Sequence, residues 1–226
     1  MDIEAISKTV LRNLKTRIIG KSKYGNKQWE KADSNWYDEI HNQNNELHKN
    51  FIEFLITKKN VKTILEVGCG TGVYPIQHKE LFTDKKYTGI DFSKPNIEFC
   101  KKHSNFEFIQ GDFIKMNLEN KYDLVYSHAV IDHVYDIDEF LQRIVKSCKK
   151  YAYVNAYRGF FPEINEHEMH WRDDDNCYYN NLSVKKTKEL LLKLGLTKDE
   201  FLIRKQENMD TNGKHWNETV IEIILK

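Results

Sequence analysis

The spacing of hydrophobic residues changes character near residue 60. Before it, Ile3, Ile6, Val10, Leu14 and Ile18 recur at steps of three and four, the period of one face of a helix. Trp36, Ile40, Leu47, Phe51, Phe54 and Leu55 repeat that pattern less regularly. Two N-terminal helices are predicted, hinged across Gly20 to Asn26. From Val61 onward, short apolar runs alternate with amphipathic stretches. The runs ending at Val67, Asp91, Gln110 and His128, together with Tyr151 to Tyr157, predict five strands. Asp136-Ile-Asp-Glu139 reads as a capping box, followed by the apolar stripe Ile137, Phe140, Leu141, Ile144, Val145 and Cys148. Ser183 opens a further helix carrying Val184, Leu190, Leu191 and Leu194, and Gly195 stops it. Phe201 to Lys205 and Glu218 to Leu225 predict two closing strands. The loop between them holds Asn212-Gly213 and is too long for a two-residue turn, so the last strand is expected to run antiparallel. Alternating strands and helices of this kind predict an α/β fold, a doubly wound and mostly parallel sheet with helices on both faces.

Composition narrows this picture. A chain of 226 residues suits one α/β domain with a full core, so residues 1–60 are expected to form a helical extension and 61–226 one compact unit. Charged residues make up 31% of the chain and the net charge is +1, which gives no general bias toward nucleic acid or a membrane. The charge is unevenly placed. Lys8, Arg12, Lys15, Arg17, Lys21, Lys23 and Lys27 lie between Ala5 and Trp29 with no acid among them. That run reads either as a solvated helix face or as a lid over an anionic substrate. Cys69, Cys100, Cys148 and Cys177 are far apart, and neither a signal-like N-terminus nor a long apolar run is present. A soluble, cytoplasmic protein of a reducing compartment is expected.

Residues Ile64 to Gly72 read ILEVGCGTG. The β-branched run predicts a buried parallel strand, and glycines at 68, 70 and 72 let the backbone approach a ligand that any Cβ would block. A helix with Pro75 in its first turn is predicted next. The dinucleotide fingerprint G-x-G-x-x-G would need glycine where Val73 stands, so a cofactor without a pyrophosphate is expected. The segment Glu66 to Gly72 resembles the first motif of class I S-adenosylmethionine-dependent methyltransferases. The strands that follow stand in the order such a domain would have.

That resemblance implies a seven-stranded sheet with N-terminal lid helices, S-adenosylmethionine as methyl donor and S-adenosylhomocysteine as product. It assigns Glu66, Gly68, Cys69, Gly70, Thr71 and Gly72 to the cofactor loop. Asp91, with Phe92 and Ser93, stands near the spacing of about 20 residues at which an acid meets ribose hydroxyls, although an acid there also reads as a helix cap. Asp112 is implied to accept from the adenine amine while Phe113 packs on the ring. Ser127 and His128 are placed beside the methionine half, with Trp36 or Tyr37 closing over it. The resemblance covers Val61 to the C-terminus for the fold, but its specific motifs stop near His133.

Methyl transfer from a sulfonium is a direct displacement, so alignment and exclusion of water matter most. A hydroxyl acceptor also benefits from a general base, for which His128, His133, His167 and His170 are the candidates, the last three being the expected catalytic residues. His133 resembles a histidine that many small-molecule methyltransferases carry just past the fourth strand, often in a structural role. The stretch from Arg158 to Arg172 has no clear periodicity. Tyr157, Arg158, Trp171 and Arg172 are the expected acceptor contacts, with the arginines clamping an anion. Alternatively, Trp171, Phe160 and Phe161 form a satellite core. His167-x-x-His170 beside Asp173 to Asp175 reads as a solvated loop, and no metal is expected.

The expected protein is a bacterial O- or N-methyltransferase acting on a small anionic metabolite or carbohydrate precursor, as a monomer or homodimer. An RNA or protein methyltransferase docking through the basic segment is one alternative. Ser127-His-Ala-Val stands where an Asn-Pro-Pro-Tyr motif would favour that reading, so nucleic acid is not the expected partner. A non-catalytic cofactor-binding domain is the other.

Overall fold

The computed structural model describes His41 and residues 46–173, 176–209, 213 and 215–226. The first predicted helix, the hinge, Trp36 and Tyr37 lie outside the described residues. Helix α1 spans Glu46–Thr57 and is followed by β1 at Thr63–Val67. Then come α2 (Val73–Gln77), α3 (Lys79–Phe82), β2 (Lys86–Asp91), α4 (Lys94–His103) and β3 (Glu107–Gln110). Strand β4 (Tyr122–His128) leads through a 3-10 turn at Ile131–His133 to α5 (Ile137–Ser147) and β5 (Cys148–Ala156). Strands β6 (Glu168–Arg172) and β7 (Cys177–Asn181) precede α6 (Val184–Lys193), β8 (Phe201–Met209) and β9 (His215–Ile224).

The main sheet has seven strands in the order β3-β2-β1-β4-β5-β9-β8. Strands β1 to β5 run parallel, and β9 is antiparallel to both neighbours, as expected from the length of the last connection. The order reverses between β1 and β4, which places a crevice beyond their C-terminal ends. Side chains of a strand alternate between faces, and here both faces are apolar. Leu65, Val67, Val125, Ala152 and Val154 pack with α5 and α6. Ile64, Leu124, Tyr126 and Tyr153 pack with α1, α2 and α4. Phe51 of α1 is fully buried and stacks on Tyr126 with ring centres 4.0 Å apart.

The expected caps are present. Glu139 N donates to Asp136 Oδ1 at 3.0 Å and Lys186 N to Ser183 Oγ at 3.1 Å. Gly195, at φ 94°, closes α6 with its own N–H on Leu192 O while Leu196 N reaches Leu191 O, a Schellman ending. Cys148 belongs to β5 and not to the preceding helix. The larger departure is in the aperiodic stretch, where β6 and β7 pair as an antiparallel hairpin. Most of β6 is exposed, so its alternation leaves little mark on a hydrophobicity pattern. No helix of the described residues is long and apolar enough to cross a membrane.

Candidate active site

The loop after β1 turns on three left-handed glycines, Gly68, Gly70 and Gly72, and their surroundings differ. A Cβ on Gly68 would lie 2.2 Å from Val130 Cγ2, and one on Gly72 would lie 3.1 Å from Cys100 Sγ. A Cβ on Gly70 would meet nothing within 4 Å. Two glycines therefore serve packing, while Gly70 keeps open the space above the loop. Gly68 N and Cys69 N both donate to Ile90 O, at 2.7 and 3.0 Å, which fastens the loop to the end of β2. Asp91 completes the brace, its Oδ2 accepting from Gly70 N at 2.9 Å and its Oδ1 from Ser93 N at 2.8 Å. Burial raises the Asp91 pKa, opposed by these amides and by Asn96.

Above the loop lies a mostly apolar cavity of about 260 Å³, walled by the glycine loop, the end of β2, Gly111, Phe113 and the segment from His128 to Val130. Glu66 reaches it from beneath. Its Oε2 accepts from the hydroxyls of Tyr87 and Tyr126, and burial pushes its pKa up to about 8 against those bonds. Glu66 is therefore mainly protonated at neutral pH, and with Oε2 accepting both hydroxyls its Oε1 can carry the proton. Tyr74 Oη and His128 Nδ1 are 2.9 Å apart at the wall. Thr71 Oγ1 and Asn96 Oδ1 are buried without a hydrogen-bond partner among the described residues. Such orphaned acceptors and donors suit a polar ligand.

A second cluster borders the cavity at His133. His133 Nδ1 lies 2.6 Å from Tyr178 O and its Nε2 lies 3.1 Å from Tyr157 Oη. Asp132, beside it, accepts from the backbone of Tyr157 through Oδ2 at 3.2 Å and of Arg158 through Oδ1 at 3.1 Å. Burial lifts Asp132 to a pKa of about 7, opposed by those amides. Tyr179 meets His133 edge-on at 5.2 Å between ring centres. The guanidinium carbons of Arg158 and Arg172 lie 5.1 and 4.7 Å from the centre of the Tyr179 ring, within cation–π range.

A family model described as a methyltransferase domain matches residues 58–200, which is well over half of the chain's 226 residues. The chain belongs to the class I S-adenosylmethionine-dependent methyltransferase family. Among relatives of this family, it is 28% identical over 127 residues to a malonyl-[acyl-carrier protein] O-methyltransferase of Calditerrivibrio nitroreducens, covering 51% of this chain and 48% of that protein. It is 27% identical over 157 residues to a ubiquinone biosynthesis O-methyltransferase of Proteus mirabilis, covering 64% of this chain and 61% of that one. The chain thus spans between about half and three fifths of these relatives' lengths. Its fold is similar to that of a S-adenosylmethionine-dependent methyltransferase from Archaeoglobus fulgidus, with a TM-score of 0.63 at 16% identity over 85% of this chain and all of the other.

Of the residues that methyltransferase motifs pointed to, Glu66, Gly68, Cys69, Gly70, Thr71, Asp91, Phe92, Phe113, His128 and His133 line one cavity. Asp112 does not join that lining, its Oδ2 accepting from Tyr135 Oη at 2.9 Å. Ser127 donates to Val67 O at 2.8 Å, and Ser93 caps α4. Gly72 backs onto α4. His167 and His170 are drawn elsewhere. His167 Nδ1 accepts from Ser183 N at 3.0 Å, and burial lowers its pKa. Exposed His170 lies 3.5 Å from Glu168. Trp171 packs edge-on against Tyr178 and donates to Asp173, clear of the cavity lining. Sequence reasoning missed Tyr74, Asn96, Asp132 and Tyr179. Asp132 had one signal, an acid directly before a candidate histidine. The other three are recognised only through contacts made in space. Among the described residues no group of three or more potential metal ligands converges.

Proposed function

We propose that this protein transfers a methyl group to an oxygen or nitrogen atom of a small anionic metabolite or carbohydrate precursor. The cavity fits the family's cofactor, since Gly70 leaves open room and Thr71 and Asn96 offer orphaned polar atoms. When bound, S-adenosylmethionine supplies an electrophilic methyl carbon and a thioether leaving group. The residues that would hold it are the glycine loop, Asp91 with Asn96, and the walls at Phe92 and Phe113. With Gly70 N, Ser93 N and the Asn96 side chain already donating to it, the Asp91 carboxylate keeps one of its four lone-pair sites for a ribose hydroxyl. The protein's own contribution is alignment and dryness, because displacement at a methyl carbon depends on near-attack geometry.

The observation that carries the acceptor class is the pair of guanidiniums over Tyr179. They stand beside His133, which itself lines the cavity. No carboxylate of the described residues forms an ion pair with Arg158. Two cations gathered beside a cavity-lining histidine favour an anionic group held by charge-assisted bonds. Replacing Arg158 by alanine should raise KM for the acceptor about 10- to 100-fold, the equivalent of one hydrogen bond to a charged group, with S-adenosylhomocysteine affinity unchanged. Methyl transfer to neutral acceptors with the same kinetics as to their carboxylated analogues would overturn the anionic assignment.

A further inference from the structure

The tautomer of His133 is set by its neighbours. A carbonyl oxygen can only accept, so the 2.6 Å contact with Tyr178 O makes Nδ1 the protonated nitrogen. In the neutral ring Nε2 then carries a lone pair, and the Tyr157 hydroxyl at 3.1 Å donates into it. Tyr157 is held at both ends, its hydroxyl by His133 and its backbone by Asp132, which grips Arg158 as well. His133 is buried and lines the cavity, whereas Tyr157 is half-buried and is not among the lining residues, so the tyrosine is the member of the pair nearer solvent, on the side of Arg158. It is followed directly by Arg158, one of the two guanidiniums over Tyr179.

We propose that Tyr157 is the residue that takes the proton from the acceptor, handing its own proton to His133, and that the acceptor atom is therefore a hydroxyl oxygen of an anionic molecule. This deepens the small-anion reading of the same site and rests on it. The acceptor O–H bond breaks toward Tyr157 Oη as the oxygen bonds the methyl carbon, and the S–CH₃ bond breaks with its electron pair left on sulfur. The Tyr157 O–H proton moves to His133 Nε2, giving an imidazolium that keeps its Nδ1–H on the Tyr178 carbonyl and later returns the proton to solvent. A hydroxyl needs this relay because its pKa is high, whereas a carboxylate or a neutral amine is already nucleophilic. The ionisable and charged groups around the ring are Asp132 and Arg158 on one side, with Cys177, Tyr178, Tyr179 and Arg172 on the hairpin side.

The test uses the full chain with labelled S-adenosylmethionine and three matched acceptors: 3-hydroxybenzoate, 3-aminobenzoate and isophthalate. Methylation of the hydroxyl compound is expected to dominate. Tyr157→Phe should lower its kcat about 10²- to 10⁴-fold, the contribution of a positioned proton acceptor, and remove the acid limb of the kcat–pH profile. His133→Gln should cost about as much, and the double variant no more than either single one, because the pair acts as a unit. Unchanged calorimetric affinity for S-adenosylhomocysteine is the control for folding. Independently, nitrogen-15 NMR of labelled histidine should show His133 protonated on Nδ1, with its Nε2 resonance displaced in Tyr157→Phe. Preferential methylation of the amine or the carboxylate overturns the relay while the small-anion reading stands. An Nε2-protonated His133 also overturns it. Methylation of none of the three overturns the small-anion reading and, with it, the relay that rests on it.

Discussion

Gly68 and Gly70 share a left-handed backbone but should respond differently to substitution. Any side chain at either position pays about 1–2 kcal/mol for the left-handed conformation. Gly68→Ala adds a clash with Val130, worth about 1–3 kcal/mol of overpacking, so thermal melting should show the larger loss of stability there. Gly70→Leu should cost less stability yet abolish S-adenosylhomocysteine binding in calorimetry, because the side chain enters the open space. Asp91→Ala should weaken the cofactor by about 1.5–3 kcal/mol. A lower melting temperature with unchanged affinity would instead limit Asp91 to bracing Gly70 and Ser93. Glu66 makes a pH prediction. Its carboxyl ionises near 4.5 ordinarily and near 8 in the folded chain, so the folded state retains a proton that the unfolded state has released. Stability from this group is therefore full below that ordinary value and declines as pH rises through the folded value. Urea midpoints of the wild type should fall between about pH 5 and about pH 8 relative to Glu66→Gln, which has no proton to lose. The glycines and Asp91 were legible in the sequence because their constraint is local. Tyr74, which meets His128 from 54 positions away, carries no such local signature.

Among the elements, those with a capped helix or an uninterrupted apolar run were legible. Helix α5 has both its cap at Asp136 and its stripe, and the central parallel strands β1 and β4 are buried on both faces. The β6–β7 hairpin was not, since its pairing partners are mostly polar and its outer strand is exposed. That hairpin changes the chemistry assigned to its histidines. His167 is occupied at the start of α6, and His133, from the turn after β4, is the histidine that reaches both the cavity and the hairpin. Helix α1 shows a second difference between pattern and role. Its stripe was legible as helical, yet Phe51 is embedded against Tyr74, Tyr126 and Tyr153 in the same apolar cluster as the sheet. Phe51→Ala should therefore destabilise the whole domain by about 3–5 kcal/mol, read as a shift of the urea unfolding midpoint with one cooperative transition. A normal midpoint with a separate early transition would mark α1 as an independently melting extension.

On the scale of the whole molecule, both apolar clusters of the described residues draw on Phe51 and residues after it. What precedes α1 nevertheless approaches the site. His41 Nε2 lies 3.3 Å from Thr71 O in the glycine loop, and Gln77 donates to His41 O. Residues 1–40, to which the expected lid and Trp36 and Tyr37 belong, lie outside the described structure, and we propose only that their lysines and arginines draw an anionic acceptor inward. Electrostatic steering would then depend on ionic strength. Removal of the residues before Asp33 should leave the urea midpoint within about 0.5 kcal/mol of the intact chain, as for a change away from the core. It should also lower kcat/KM for the anionic acceptor, and the residual activity should lose much of its salt dependence, because the charges responsible have gone. The discriminating measurement is kcat/KM for 3-hydroxybenzoate against ionic strength in both forms. A truncated chain with full turnover and an unchanged salt slope would assign the basic residues to a solvated helix face and leave recognition of the anion to Arg158 and Arg172 alone.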